Sequence, residues 1–185
     1  MPRLTDARKE LRRAQIADAA VRCFGRNGLA QTSIADITAE SGLSAGSIYA
    51  HYRNKAELVR AAAREVLAKR AGVLGEYAAA DTPPGPDDLL ALLVAAIDPA
   101  EARVGVQTWG EATTNPDIRD IVVDMTGRMR AMLHDCVTAW LVKVEHHDPD
   151  AARERAAPIA HRLMALYQAE LLYVAMRTPD QEEEA

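Results

Sequence analysis

Residues 31–58 read QTSIADITAESGLSAGSIYAHYRNKAEL, and their spacing decides the fold. Ser33 is a helix cap with Asp36 three residues on, the two halves of a capping box. Ile34 and Ile37 share a face, and Ser41 lies one turn further. Gly42 supplies the positive φ that ends a helix sharply. Leu43 is an apolar plug, and Ser44 caps a second helix. In that helix Ile48 and Tyr52 are four apart and point inward together, leaving Ser47, Tyr49 and His51 outside. Asn54 caps a third helix, with Glu57 at its third position. A helix, a tight turn and a second helix in this register make a helix-turn-helix, whose second helix enters the DNA major groove.

The same residues resemble the tetracycline-repressor (TetR) family of bacterial regulators. That family reads I-A-x-x-A-G-V-S-x-G-x-L-Y-x-[YH]-F-x-x-K-x-x-L over this region. Here the pattern stands as Ile37-Thr38, Ser41-Gly42-Leu43-Ser44, Gly46, Ile48-Tyr49, His51-Tyr52, Lys55 and Leu58. The likeness covers roughly residues 8 to 60, with unbroken spacing. Thr38 and Ser41 replace the family's usual Ala, which is a small change. Ala45 and Ala50 stand where basic residues are common, a departure on the DNA-facing side.

From the face opposite Ile48 and Tyr52 and from the resemblance, base reading is expected of Ser44, Ala45, Gly46 and Ser47. Ser44 serves equally well as a cap alone. Gly46 lets the backbone approach DNA closely, and Ala45 offers only apolar contact, as to a thymine methyl. Tyr49, His51 and Lys55 are expected on phosphates, which position without specifying. Thr32 and Ser33, just before the first of these helices, complete the expected DNA-binding set.

Composition agrees. The 185 residues carry a net charge of −5, unevenly spread. Residues 1–70 hold thirteen Lys and Arg against seven Asp and Glu, a charge of +6; residues 71–185 hold nine against twenty, −11. A basic head on an acidic body suits a localised DNA-binding surface, although helical proteins also carry lopsided solvated charge. Ala, Leu, Arg and Glu dominate, which favours helix. No stretch reaches the roughly eighteen apolar residues of a membrane span, and the charged N-terminus has no apolar signal region. A cytoplasmic, non-membrane protein is expected, with Cys23 and Cys136 as buried free thiols.

In chain order, Met1 to Thr5 is expected to be a loose arm, followed by a helix over 6–26 with Ile16, Ala20, Cys23 and Phe24 on its buried face. Arg8, Lys9, Arg12 and Arg13 crowd its start against the helix dipole; DNA phosphate and plain solvation are equal explanations. A long helix from Lys55 ends before Thr82-Pro83-Pro84-Gly85-Pro86. Beyond it, Asp98-Pro99, Asn115-Pro116 and Asp148-Pro149 each pair a cap with a proline at the first helical position. Helices are expected over 88–97, 99–114, 116–146 and 149–177.

The expected fold is therefore all-α. It has a helix-turn-helix domain over 1–54, a connecting helix over 55–80, a helical domain over 81–177, for which the resemblance implies ligand binding and dimerisation, and an acidic tail over 178–185. The last helix is apolar on several faces: Ile159, Leu163, Leu166, Tyr173 and Val174 on one, Leu171 and Leu172 among those on others. Such a helix needs burial on several faces, so Leu171 and Leu172 are expected at a homodimer interface. Glu170 falls within the first stripe, either because the stripe is open at that level, or as a residue paired by a neighbouring Arg, or as a polar anchor in a ligand cavity.

The resemblance implies a one-component switch: a dimer on a near-palindromic, double-stranded operator, released by a small-molecule effector whose identity the sequence leaves open. Trp109, Thr113, Met125, Met129, Tyr167 and Glu170 are the expected ligand-facing residues, each also explicable as ordinary core. The competing reading is a DNA-binding dimer whose C-terminal domain only dimerises. No nucleophile triad, phosphate loop or paired-carboxylate motif stands out, so no enzyme and no cofactor are expected. His146-His147-Asp148 sits at a helix end, where solvation explains it better than a metal.

Overall fold

The computed structural model describes residues 2–177, with side chains from Ala7 on. Among these residues there are eight helices and no strand. They are α1 (Pro2–Asn27), α2 (Ile34–Ser41), α3 (Ala45–His51), α4 (Lys55–Ala79), α5 (Pro86–Ala95), α6 (Pro99–Ala112), α7 (Pro116–Lys143) and α8 (Pro149–Met176). The chain is all-α as expected. The acidic tail lies outside the described residues, as does Met1.

Local chemistry sets the boundaries. Five helices open on a proline, whose missing N–H would be unpaired there anyway. Asn115 Oδ1 accepts from Asp117 N at 3.1 Å and Ile118 N at 3.4 Å. Asp148 Oδ1 accepts from Asp150 N at 3.0 Å and Ala151 N at 3.2 Å. Two expectations need correction. α1 begins at Pro2, so no loose arm reaches Thr5. α7 stops at Lys143 instead of continuing to 146, because His146 turns to φ 57° and the His147 N–H closes back on the Leu141 carbonyl at 2.9 Å.

The packing forms two compact units. The first holds the chain up to Val66 together with Pro99–Val122. Its core gathers Ile16, Cys23 and Phe24 of α1, Ile37 of α2, Ile48 and Tyr52 around α3, Leu58 and Val59 of α4, Val104 of α6 and Ile121 of α7. Each large apolar side chain so buried contributes roughly 1.5–3 kcal/mol. The second unit holds Leu67–Asp98 and the chain from Val123 on. Its core gathers Leu74, Leu89, Leu93, Leu133, Val137 and Leu141 with Ala152, Ala156, Ala160, Leu163 and Tyr167 of α8.

These units are not the linear division at 80/81. The proline cluster there ends a helix, whereas the core of the first unit reaches forward to Ile118 and Ile121. The stripe on α8 also shifts. Leu163, Met164 and Tyr167 are buried, while Leu166 and Tyr173 are exposed. Glu170 is half-buried beside them.

A candidate nucleic-acid interface

Two caps set the helix-turn-helix. Ser33 Oγ accepts from Asp36 N at 3.2 Å, and Asp36 Oδ2 accepts from Ser33 N at 2.8 Å. The Ser33 backbone N–H, then its hydroxyl, hold the Asp36 carboxyl below the usual carboxylate range. Gly42 ends α2 at φ 67°, its N–H donating to the Thr38 carbonyl at 3.1 Å. Ser44 Oγ then accepts from Ser47 N at 3.2 Å and starts α3.

The pair is braced on α1. Gln15 Nε2 donates to the Ser41 carbonyl at 2.8 Å. Glu40 accepts from Arg22 Nε at 2.5 Å and also pairs with Arg26. Arg26 first, then Arg22, hold the Glu40 carboxyl below its usual value. Ile48 and Tyr52 face inward, 0% and 4% exposed. Burial pushes the Tyr52 phenol up, while its hydroxyl donates to the Arg13 carbonyl at 3.2 Å.

With Ile48 and Tyr52 inward, α3 turns out a face of Ser44, Ala45, Gly46, Tyr49 and Ala50, all exposed, with Ser47 half-buried. A Cβ on Gly46 would meet only Ser44 Oγ, at 3.9 Å, so nothing inside the protein requires glycine there. Beside this face lies a cleft of about 330 Å³ lined by Ser33, Tyr49, Arg53, Asn54 and Lys55 over a floor that includes Ile34, Ile37 and Leu58. Asn54 Oδ1 accepts from Glu57 N at 2.9 Å and Glu57 Oε2 from Arg53 N at 2.7 Å, a second reciprocal cap. Lys55 Nζ rests on the Ala30 carbonyl at 3.3 Å.

Two of the expected DNA-binding residues sit differently. Thr32 is 8% exposed, and its hydroxyl donates inward to the carbonyls of Gly28 at 2.8 Å and Cys23 at 3.1 Å. It holds the loop and is not a surface group. His51 is half-buried, with Nδ1 shielded and without a protein partner. Sequence reasoning passed over Arg53 as a site residue, although a basic residue between α3 and the Asn54 cap was its signal. It also passed over Gln107, whose Oε1 accepts from Leu29 N at 2.7 Å across 78 residues of sequence.

The expected ligand-facing residues divide between the units. Trp109 and Thr113 belong to the first; Met125, Met129, Tyr167 and Glu170 belong to the second. Thr113 is exposed and donates to the Gly110 carbonyl at 2.7 Å. Met129 and Tyr167 are buried in one core, and Met125 is half-buried. Trp109 is half-buried, its Nε1 shielded and without a protein partner. Leu171 is half-buried and packs against the core of its own unit, and Leu172 is 42% exposed. Both cysteines are buried and free. Burial pushes the Cys136 thiol up to about 11, and its Sγ donates to the Leu74 carbonyl at 3.1 Å.

Comparison with known proteins bears on both ends of the chain. Residues 16–62 match the bacterial regulatory proteins of the tetR family, and residues 86–168 match the C-terminal part of BetI-type transcriptional repressors. The chain belongs to the TetR family. The HTH-type transcriptional regulator TtgR of Pseudomonas putida is 48% identical over 61 residues, 33% of this TetR-family chain and 29% of that relative. The HTH-type transcriptional regulator BetI of Burkholderia thailandensis is 26% identical over 172 residues, covering 90% of this chain and 84% of that one. A crystal structure of a regulator from Saccharomonospora viridis in complex with choline superimposes with a TM-score of 0.60 at 26% identity, covering 85% and 81% of the two chains. Among the described residues, no helix of this TetR-family chain is long and apolar enough to cross a membrane.

Proposed function

We propose that this protein is a ligand-responsive, DNA-binding transcriptional regulator, a cytoplasmic repressor released from its operator by a small molecule. The carrying observation is the outward face of α3, whose small side chains and glycine have no role in the core. Ser44, Ala45, Gly46 and Ser47 meet base edges, and the cleft of Tyr49, Arg53 and Lys55 seats a backbone phosphate beside the start of α4.

The protein acts as a homodimer on a near-palindromic site. This reading is supported by the outer face of α8, where Leu166, Leu172, Tyr173 and Met176 are 45%, 42%, 62% and 67% exposed. A second copy covers that strip more economically than water does. Release follows if the effector binds the DNA-incompetent arrangement more tightly than the competent one.

The test begins with duplexes selected from a random library by the protein. A panel of small molecules, choline among them, is then screened by thermal shift. The account expects at least one compound to raise the melting temperature and release the selected duplex. Compounds that bind but leave the complex intact at saturation favour a body that only dimerises. A protein that enriches no duplex is not a regulator of this kind.

A further inference from the structure

Between α1 and α2 the chain turns through Gly28 at φ 84°, and the next residue, Leu29, is 3% exposed. The Leu29 N–H donates to Gln107 Oε1 of α6 at 2.7 Å. The same carboxamide fills the space beside Gly28, with Oε1 3.4 Å from where a Cβ would stand. One turn earlier, a Cβ on Gly25 would stand 2.7 Å from Ala100 Cβ, so α1 and α6 are in direct contact. Thr32 ties the loop's carbonyls together and leads directly into Ser33, the cap of α2. A contiguous set of bonds therefore runs from α6 to the start of the helix-turn-helix.

α6 is soft where it carries this contact. Gly105 and Gly110 flank Gln107, and a Cβ at either would meet nothing within 4 Å, so packing does not require them. Glycine without a packing role weakens a helix. Between them Thr108 donates to the Val104 carbonyl at 2.6 Å, a back-bond that bends helices.

We propose that Gln107 is a positioning residue for operator binding. Its carboxamide fixes the α1–α2 loop and, through it, the seat of α2 and α3, so that displacement of α6 weakens the grip on the operator. This rests on the DNA-binding reading above. A buried N–H left without an acceptor opens its loop, and coupling between sites travels through such packed, hydrogen-bonded connections.

The test compares Gln107→Met, which keeps length without an acceptor, with Gln107→Glu, which keeps the acceptor. Amide exchange at Leu29 is read without DNA. Affinity is read as the ratio between a duplex selected by the wild type and a scrambled duplex, which cancels the added charge of Glu. Gln107→Met should speed Leu29 exchange and lower the ratio, each about tenfold, with little change in melting temperature; Gln107→Glu should keep both near wild type. Should Gln107→Met fail to fold, Gln107→Ala takes its place. Unchanged Leu29 exchange, an unchanged ratio, or equal losses in the Met and Glu variants would overturn the proposal. A wild type that enriches no duplex sinks the functional reading, whereas unchanged Leu29 exchange sinks the Gln107 contact and leaves that reading standing.

Discussion

The Arg13 guanidinium lies 5.3 Å from the centroid of the Tyr52 ring, and the Tyr52 hydroxyl donates back to the Arg13 carbonyl at 3.2 Å. The end of α3 is thus fastened to α1 from both sides of one residue. Tyr52→Phe keeps the ring and loses the hydroxyl bond, at a cost of about 1 kcal/mol. Tyr52→Ala removes the ring from a 4% exposed site and should cost about 3–5 kcal/mol. Chemical denaturation measures both. A Tyr52→Phe protein as stable as wild type would show that the bond contributes nothing in solution.

Lys143 closes the end of α4 in a similar way. Its Nζ donates to the carbonyls of Ala78, Ala79 and Ala80 at 3.1, 3.1 and 2.8 Å. A cation there satisfies unpaired carbonyls and complements the helix dipole. Lys143→Met keeps the stem and should lower stability by about 0.5–1 kcal/mol, with amide exchange near 78–81 accelerated. If exchange there stays at the wild-type rate, the cap is not made.

Acid should loosen the head first at α2. Asp36 and Glu40 both titrate below their ordinary values, held by the Ser33 N–H and by Arg26 with Arg22. Their contribution is complete above the unfolded carboxylate range near pH 4 and is lost as pH falls through the lower folded values. The protection factors of α2 amides, which divide out the intrinsic slowing of exchange in acid, should fall more steeply from pH 7 down to 3 in the wild type than in an Asp36→Asn, Glu40→Gln double variant. Parallel profiles would remove both carboxylates from the account.

The helix-turn-helix was legible because its information is local. The pairs Ser33 with Asp36 and Ile48 with Tyr52, and the turn at Gly42, all lie within a few residues of one another. The Pro-marked starts of α6, α7 and α8 were legible for the same reason. The two units were not, because Ile118 and Ile121 look like one stripe with Met129 and Leu133 until packing sends them to different cores. Gln107 was hidden for a related cause: its partner, Leu29, is 78 residues away. On α8 the apolar residues outnumber one face, so pattern alone did not separate Leu163, which is buried, from Leu166 and Tyr173, which are exposed.

His146 shows how a locally unfavourable residue can be read backwards into stability. It holds φ 57° at the end of α7, where glycine fits without strain. His146→Gly should stabilise the protein by about 1 kcal/mol, seen as a higher denaturation midpoint with unchanged slope. A lower midpoint would mean the imidazole makes a contact that outweighs the backbone strain.

The central claim is that the outward face of α3 lies against DNA, and Gly46 tests it most directly. The protein has open space at its Cβ, so Gly46→Leu should fold and melt no lower than wild type. Against DNA the same side chain has nowhere to go. The measurement is fluorescence anisotropy of the selected duplex with wild type and Gly46→Leu at one salt concentration. The account predicts a loss of affinity of about tenfold or more, the worth of one lost base-pair contact, with the scrambled duplex bound almost as before. A Gly46→Leu protein that binds the selected duplex as tightly as wild type would contradict it.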